Sequence, residues 1–318
     1  MPGGITHAFS YTPGGGTVDL GTLGGTDSYA YSVNNSGQVV GDSYTSAGNI
    51  HAFRYSAGGV MADLGTLGGT SSMAFGINDS GQVVGGSFTA NDVAFHAFSY
   101  TSGGGMADLG TLGGTDSTAH AINSSGMVVG QSNTADDVTF HAFRYVPGVG
   151  MADLGTLGGS ESTAYGINDA GQLVGGSYTT GDTAYHAFSH TSGHGMIDLG
   201  TLGGSESSAS AVNINGLVVG GSYTAGDAAY HAFSYTPGGG MVDLNTYLAP
   251  GSGWELVYAL AVNDNGQIVG KGSIDGKEHA FLMTPTLVPV PAAVWLFGSA
   301  LAGLGVVSKR RSKGMPAS

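Results

Sequence analysis

The chain contains no cysteine and very little charge. Without cysteine it can form no disulfide, no thiolate metal site and no cysteine nucleophile. Charged residues make up only 9% of the 318 residues, yet the formal net charge is −14, because 22 acidic side chains outnumber 8 basic ones. All of the acidic residues precede Leu287. An acidic body repels phosphate backbones, so we predict that the protein does not bind nucleic acid.

Helical periodicity is also missing from the sequence until about residue 292. There is no Gly-x-Ser-x-Gly nucleophile elbow and no Asp-x-Asp-x-Asp-Gly calcium loop. Lysine is scarce, whereas glycine, with 60 residues, serine and threonine are abundant. This composition is typical of a secreted, turn-rich β protein rather than of a cytosolic enzyme.

What the sequence does contain is a repeat. The string His-Ala-Phe (HAF) occurs seven times, and the first five intervals between copies are 44 or 45 residues. Between copies the motifs Asp-Leu-Gly-Thr-Leu-Gly-Gly, Asn-x-x-Gly and Gly-Gln-Val-Val-Gly recur in the same order. A period of this length indicates stacked supersecondary units. The HAF histidines are His7, His51, His96, His141, His186, His231 and His279.

One unit, residues 141–185, contains four short segments with strand character: HAFRY, MADLGTL, STAYGIN and GQLVGGSYT. Asn-x-x-Gly, the Pro-Gly or Ser-Gly-rich stretch and the Leu-Gly-Gly pair each suggest a tight turn. Hairpins join antiparallel neighbours. Four antiparallel strands in about 45 residues are typical of one β-propeller blade.

We therefore predict an all-β fold, a β-propeller of about six four-stranded antiparallel blades, with a C-terminal transmembrane helix. The six blades would run from about residue 18 to 284, which leaves the first HAF strand over. The alternatives are seven blades with a truncated first blade, or a β-solenoid. The chain enters the repeat without the positively charged and apolar segments that make up a signal peptide. We therefore also expect that the start is truncated and that an N-terminal signal peptide is missing from this sequence.

The C-terminal tail differs from the repeats. From Leu287 to Val307 there is no charged residue, and basic residues follow at once. As a helix this stretch would span roughly 30 Å, the thickness of a bilayer core. The positive-inside rule then places the C-terminus in the cytoplasm. We predict a repeat domain at 1–285 and a tail at 286–318, with the transmembrane helix at 292–307.

The tail resembles the PEP-CTERM protein-sorting signal in its Val-Pro-x-Pro-Ala variant. The matching residues are Val288, Pro289, Pro291, Ala292, Trp295, Lys309, Arg310 and Arg311, while Val290 stands where the name-giving signal has glutamate. The resemblance implies recognition by an exosortase at the inner membrane and removal of the helix. The body resembles extracellular HAF-repeat proteins, through its seven HAF strings, Asp-Leu-Gly-Thr-Leu-Gly-Gly and Gly-Gln-Val-Val-Gly.

Three sets of repeated polar residues are candidates for a metal or ligand site. The HAF histidines could form a ring, but we expect each to bond a neighbouring backbone carbonyl. The aspartates of Asp-Leu-Gly are expected to cap their own turns. No cofactor is predicted, with Ca²⁺ only a weak alternative. The loop aspartates that would hold an ion or ligand are Asp92, Asp137, Asp182 and Asp227.

Aromatic residues are the strongest candidates for contact with a ligand, because exposed rings stack on sugars. Most of them are nevertheless expected to pack between blades. The recurring ones are Tyr29, Tyr31, Phe75, Tyr165, Phe95, Phe140, Tyr185 and Tyr230. We predict no catalytic residues, because the near-identical units offer no groups of contrasting role. The predicted function is a cell-surface or extracellular matrix or adhesion module binding exopolysaccharide. The alternatives are a lyase or glycosidase acting on polysaccharide, and a structural module without a ligand.

Overall fold

The computed structural model describes residues 5–12 and 14–285, which form 25 β-strands and four short 3₁₀ helices. All described strands lie in one compact unit, Met1–Met283. Five four-stranded sheets have the same antiparallel order of first, second, third and fourth strand, and a single parallel bridge joins the last two of them. A two-stranded sheet precedes them and a three-stranded sheet follows them. The all-β prediction and the repeated four-stranded antiparallel sheet are confirmed.

The first strands are long and begin at the Gly-Gly pair in five of the six sheets that have one. They are β3 (Gly24–Val33), β7 (Gly68–Ile77), β11 (Gly113–Ile122), β15 (Gly158–Ile167), β19 (Gly203–Val212) and β23 (Trp254–Val262). The second strands carry the Val-Val-Gly motif or its variant. They are β4 (Val39–Thr45), β8 (Val83–Thr89), β12 (Val128–Thr134), β16 (Leu173–Thr179), β20 (Val218–Thr224) and β24 (Ile268–Ile274).

The third strands contain HAF or, in β1, begin at its phenylalanine, and the fourth strands end at the aspartate of Asp-Leu. The third strands are β1 (Phe9–Thr12), β5 (Ile50–Tyr55), β9 (Phe95–Thr101), β13 (Phe140–Val146), β17 (Tyr185–Thr191), β21 (Tyr230–Thr236) and β25 (Lys277–Met283). The fourth strands are β2 (Gly16–Asp19), β6 (Ala62–Asp63), β10 (Gly105–Asp108), β14 (Gly150–Asp153), β18 (Gly195–Asp198) and β22 (Gly240–Asp243). The 3₁₀ helices are Ala90–Asp92, Thr180–Asp182, Ala225–Asp227 and Leu244–Tyr247.

The boundary between units differs from the prediction. Asp-Leu-Gly-Thr-Leu-Gly-Gly does not form one strand followed by a hairpin. The aspartate ends a fourth strand, and the Gly-Gly pair starts the first strand of the next sheet. The described residues therefore form five complete sheets, not six complete blades from residue 18. Parallel contacts in the described sheets are single bridges, such as Leu112 with Thr134, so the ladders do not match a solenoid.

Each internal sheet is buried on both faces, which explains why phenylalanine and alanine alternate in HAF. Phe143 packs towards the preceding sheet, in a cluster with Val84 and Ala97 of that sheet. Ala142 packs in a different cluster with Ala164 of the following sheet. Both residues have no exposed surface. Successive residues of this strand therefore lie on opposite faces of the sheet, and Phe143 and Ala142 each meet apolar core.

Polar side chains connect neighbouring sheets at two places in every internal interface. The buried Ser117 hydroxyl accepts a bond from the Ala97 amide at 2.8 Å and donates to the Gly110 carbonyl at 2.6 Å. In the Asn-x-x-Gly turns, the side-chain amide of Asn123 donates to the backbone carbonyl of Asn168 in the next turn at 3.2 Å. These bonds satisfy backbone groups that the sheet ladders leave unpaired.

The outer faces of the two terminal sheets are open to solvent. Phe9 is 61% exposed, although its five equivalents in the internal sheets are fully buried. Ala280, in the last sheet, is also exposed. The structure therefore shows the repeated sheets but not the closure of a ring. Among the described residues no helix is long and apolar enough to cross a membrane. The predicted helix at 292–307 lies outside the described residues.

Candidate functional site

The HAF histidines and the Asp-Leu aspartates form pairs within single sheets. In six of the seven copies the histidine Nδ1 lies 2.7–2.8 Å from an aspartate Oδ2. The prediction that each HAF histidine bonds a backbone carbonyl is wrong, because the fourth strand brings this carboxylate directly beside the histidine. The other carboxylate oxygen caps the turn as expected: Asp108 Oδ1 accepts from the Gly110 amide at 2.7 Å. The pairs are His7–Asp19, His51–Asp63, His96–Asp108, His141–Asp153, His186–Asp198 and His231–Asp243.

The loop aspartates serve the backbone of the first strand. All four have a positive φ of 54–55°, a conformation that aspartate tolerates better than most residues. Their carboxylates accept the amide N–H of the residue after Gly-Gly; in Asp182 the distance to the Ser160 nitrogen is 2.7 Å. This bond accounts for Asp92, Asp137, Asp182 and Asp227 without an ion. In the part of the chain that the structure describes, no three His, Asp or Glu side chains lie close enough to hold a metal.

A row of four rings crosses four neighbouring first strands. Tyr31, Phe75, His120 and Tyr165 occupy the same position in β3, β7, β11 and β15, two residues before the strand ends. The successive ring centroids are 5.5, 6.0 and 5.4 Å apart, with interplanar angles of 44–47°. Tyr31 is 51% exposed and Tyr165 37%, and the two central rings are half-buried. We call these four residues the ring row.

A buried carboxylate lies at one end of the ring row. Asp42, in β4, is only 4% exposed and bonds the Tyr31 hydroxyl. Burial raises the pKa of Asp42, and the bond from Tyr31 partly opposes this shift. Within the described residues, Asp42 Oδ1 is buried without a hydrogen-bond partner. This end of the row therefore has an unpartnered carboxylate oxygen buried beneath the partly exposed Tyr31 ring.

Tyrosine hydroxyls surround the other end. The Tyr258 hydroxyl accepts from Ser210 Oγ at 2.8 Å, and the Tyr258 ring is stacked on Tyr230 at 6.1 Å. Tyr185 bonds Thr163 and Tyr165. Burial raises the pKa of Tyr185, Tyr230 and Tyr258, so these hydroxyls stay protonated. The arrangement supplies neutral donors next to the ring of Tyr165.

The aromatic residues before HAF have a packing role, as expected for most of the predicted set. The rings of Phe95, Tyr185 and Tyr230 occupy the space that a side chain would need at a nearby glycine of the second strand, which is Gly86, Gly176 or Gly221. Where the second strand carries a larger residue, that residue makes its own polar contact. Gln131 accepts from Thr163 of the next sheet at 2.8 Å.

His120 belongs to the ring row but was not among the predicted residues. The signal was present, because aligning the units on Asn-x-x-Gly places His120 opposite Tyr31, Phe75 and Tyr165. Burial lowers its pKa to about 4, and its Nε2 atom is buried without a partner in the described part of the protein. At neutral pH the ring is uncharged and acts as an aromatic member of the row.

His120→Phe tests this burial through the pH dependence of stability. With a folded pKa of about 4 against 6.5 for the free group, the unfolded state binds the proton first. The wild type should lose stability as pH falls from about 6.5 to about 4, by up to about 3 kcal/mol, and the variant should lack this component. Urea unfolding at pH 7.5 and pH 4.5 measures it. Phe75 shows that the position accepts a phenyl ring, and parallel pH profiles would contradict the assignment.

The sequence matches no protein-family model, and it matches none of the curated proteins. Several solved structures are similar to this chain, and three of them align over most of their own length. A mutant of AofleA from Arthrobotrys oligospora has a TM-score of 0.40 and 10% identity, and covers 82% of this chain and 86% of its own. A mutant of the Aleuria aurantia lectin in complex with Fucα1-6GlcNAc has a TM-score of 0.36 and 14% identity, covering 83% and 97%. With α-methyl-L-fucoside, that lectin has a TM-score of 0.33 and 13% identity, covering 83% and 96%.

Proposed function

We propose that this protein is a non-enzymatic extracellular or cell-surface module that binds polysaccharide along the ring row. The observation that carries the proposal is the continuous contact of four rings across four sheets. Aromatic faces stack on the apolar faces of sugar rings, and repeated stacking positions suit a polymer whose units also repeat. The neutral hydroxyls around Tyr165 supply hydrogen-bond donors and acceptors for sugar hydroxyls.

Binding by the full chain to a glycan array, including bacterial exopolysaccharides, tests the proposal first. With a positive glycan in hand, Phe75→Ala should weaken its binding about tenfold, because one stacking contact is worth about 1 kcal/mol or somewhat more. Tyr247→Ala is the matched control, since Tyr247 is 65% exposed but lies outside the ring row. Binding unchanged by Phe75→Ala, or equally reduced by Tyr247→Ala, would rule out the row as the binding surface.

A polysaccharide-active enzyme is the second candidate, and Asp42 is the observation that favours it. A buried carboxyl group with a raised pKa, bonded to a tyrosine hydroxyl, resembles a general acid. Among the described residues no second carboxylate contacts Asp42, so the pair of acids that glycosidases use is not seen there. Release of reducing ends from a bound polysaccharide, abolished by Asp42→Asn, would replace the binding proposal with the enzymatic one.

The sorting of the protein rests on the tail. The resemblance of Val288–Arg311 to a sorting signal supports recognition by an exosortase and transient anchoring in the inner membrane through a predicted helix at 292–307. Deletion of residues 288–311 should abolish retention at the cell surface in a bacterium that carries an exosortase. The control is replacement of Lys313, which lies beyond the motif. Unchanged surface retention after the deletion would contradict this part of the proposal. The repeated sheets support a propeller-type scaffold, in which closing the ring would bury Phe9 and Ala280.

A further inference from the structure

The last sheet has an open edge where every complete sheet has a fourth strand. β25 pairs with β24 on one side, and no described strand pairs with its other side. In the sheet β11–β14, the same edge pairs with β14, so that Phe143 lies opposite Asp153 and Tyr145 opposite Met151. The equivalents in β25 are Phe281 and Met283. The backbone positions along this edge of β25 therefore correspond to those that pair antiparallel with a fourth strand in a complete sheet.

The side chains beside this edge form a groove of about 400 Å³, lined by Leu248, Trp254, Leu256, Ala280, Phe281, Leu282 and Met283. In an internal sheet the corresponding space is filled by a methionine of the fourth strand. Met106 packs there with Leu67 and Tyr100 on the cluster that contains Phe98. Leu248, Phe281 and Met283 stand in the positions of Leu67, Phe98 and Tyr100. The groove is therefore the methionine slot of a fourth strand.

His279 indicates that a segment paired with the open edge should also carry a carboxylate. The other six HAF histidines bond an aspartate of the fourth strand, but His279 is exposed and no carboxylate contacts it in the described residues. Its ring lies edge-on to Trp254 at 6.0 Å. The residues after 285 contain no Asp or Glu, and Pro289 and Pro291 have no amide N–H to pair with a strand. The sequence after residue 285 therefore lacks the carboxylate that pairs with the HAF histidine in the other copies.

We propose that the open edge of β25 is a binding site for an extended segment of a partner polypeptide that carries a methionine-like side chain two residues before an aspartate. The segment would pair antiparallel with β25, place its apolar side chain in the groove and its carboxylate on His279 Nδ1. Binding of this kind takes its affinity from main-chain bonds and its specificity from alternate side-chain pockets. The pairing repeats, between molecules, the contact that the chain makes within each complete sheet.

The probe is a synthetic peptide with the sequence of residues 105–111, Gly-Met-Ala-Asp-Leu-Gly-Thr, labelled for fluorescence anisotropy with the full-length chain. We expect saturable one-to-one binding. A peptide with Asp108→Asn should bind at least fivefold more weakly, as should one with Met106→Ser. In the His279→Ala protein, the native peptide should lose affinity to the same extent, and Asp108→Asn should then have no further effect.

His141→Ala is the matched control protein, because its aspartate partner is already present in the chain. It should bind the native peptide as the wild type does. Equal binding of a scrambled peptide, or unchanged affinity in His279→Ala, would overturn the proposal. Failure of the native peptide to bind the full chain at millimolar concentration would overturn it too, and would indicate that the tail or another part of the chain covers the groove.

Discussion

Replacing Gly130 with alanine should destabilise the protein by more than about 3 kcal/mol. Gly130 is the last residue of the Val-Val-Gly motif and pairs with Ala119 of the first strand. A Cβ atom at this position would lie well inside van der Waals contact with the Thr118 carbonyl oxygen, and 2.9 Å from the Phe143 ring.

Neither neighbour of Gly130 can move away easily. The Thr118 carbonyl belongs to the backbone of β11, next to a register shift, and the Phe143 ring has no exposed surface. The same close approach occurs at the equivalent glycine of the other five second strands: Gly41, Gly85, Gly175, Gly220 and Gly270. The glycine in the motif is therefore a steric requirement of the way in which the first two strands meet.

Gly103→Ala is the matched control for Gly130→Ala. Gly103 lies in an exposed hairpin turn, and a Cβ there would have no atom within 4 Å. Its effect on the free energy of unfolding should stay within about 0.5 kcal/mol. Urea unfolding followed by circular dichroism compares the two. If Gly130→Ala unfolds at the same urea concentration as Gly103→Ala, the steric argument is wrong.

The strands and most turns of this fold were predictable from the sequence because the same strand and turn patterns recur in six units. Asn-x-x-Gly forms the predicted hairpin, in which the backbone amide of Asn123 donates to the Met127 carbonyl. The unit boundary was not predictable in the same way. Leu-Gly-Gly has the composition of a hairpin turn, but here Gly113 opens a strand with a φ of 108°, and the chain passes to the next sheet.

The site was predictable only in part, because repetition draws attention to the conserved positions of the unit. The histidines and aspartates that recur in every unit have structural roles, as the His96–Asp108 pair shows. The ring row arises at a position that varies from unit to unit, where Tyr31, Phe75, His120 and Tyr165 are followed by Ser210. Their contact depends on the distance between neighbouring sheets, which no local sequence pattern expresses.

The buried serines were also not identified from the sequence, and they lead to the second large prediction. Ser117→Ala should lower the free energy of unfolding by about 2–4 kcal/mol, because it leaves two buried backbone groups unsatisfied. Ser117 is 2% exposed, and its hydroxyl serves the Ala97 amide of the preceding sheet and the Gly110 carbonyl of the connection between the sheets. The volume hardly changes, so a cavity contributes little.

The control for Ser117→Ala is Ser102→Ala, in the exposed turn between β9 and β10, which should change the free energy of unfolding by less than about 0.5 kcal/mol. Urea unfolding measures both variants. Hydrogen exchange adds a local test: the Ala97 amide, which donates to Ser117 Oγ in the wild type, should lose protection in Ser117→Ala. A variant as stable as Ser102→Ala, with the Ala97 amide still protected, would show that this serine does not connect the sheets. The same bond recurs from Ala52 to Ser72, Ala142 to Ser162 and Ala187 to Ser207, so we expect Ser72→Ala to repeat the loss at a second interface.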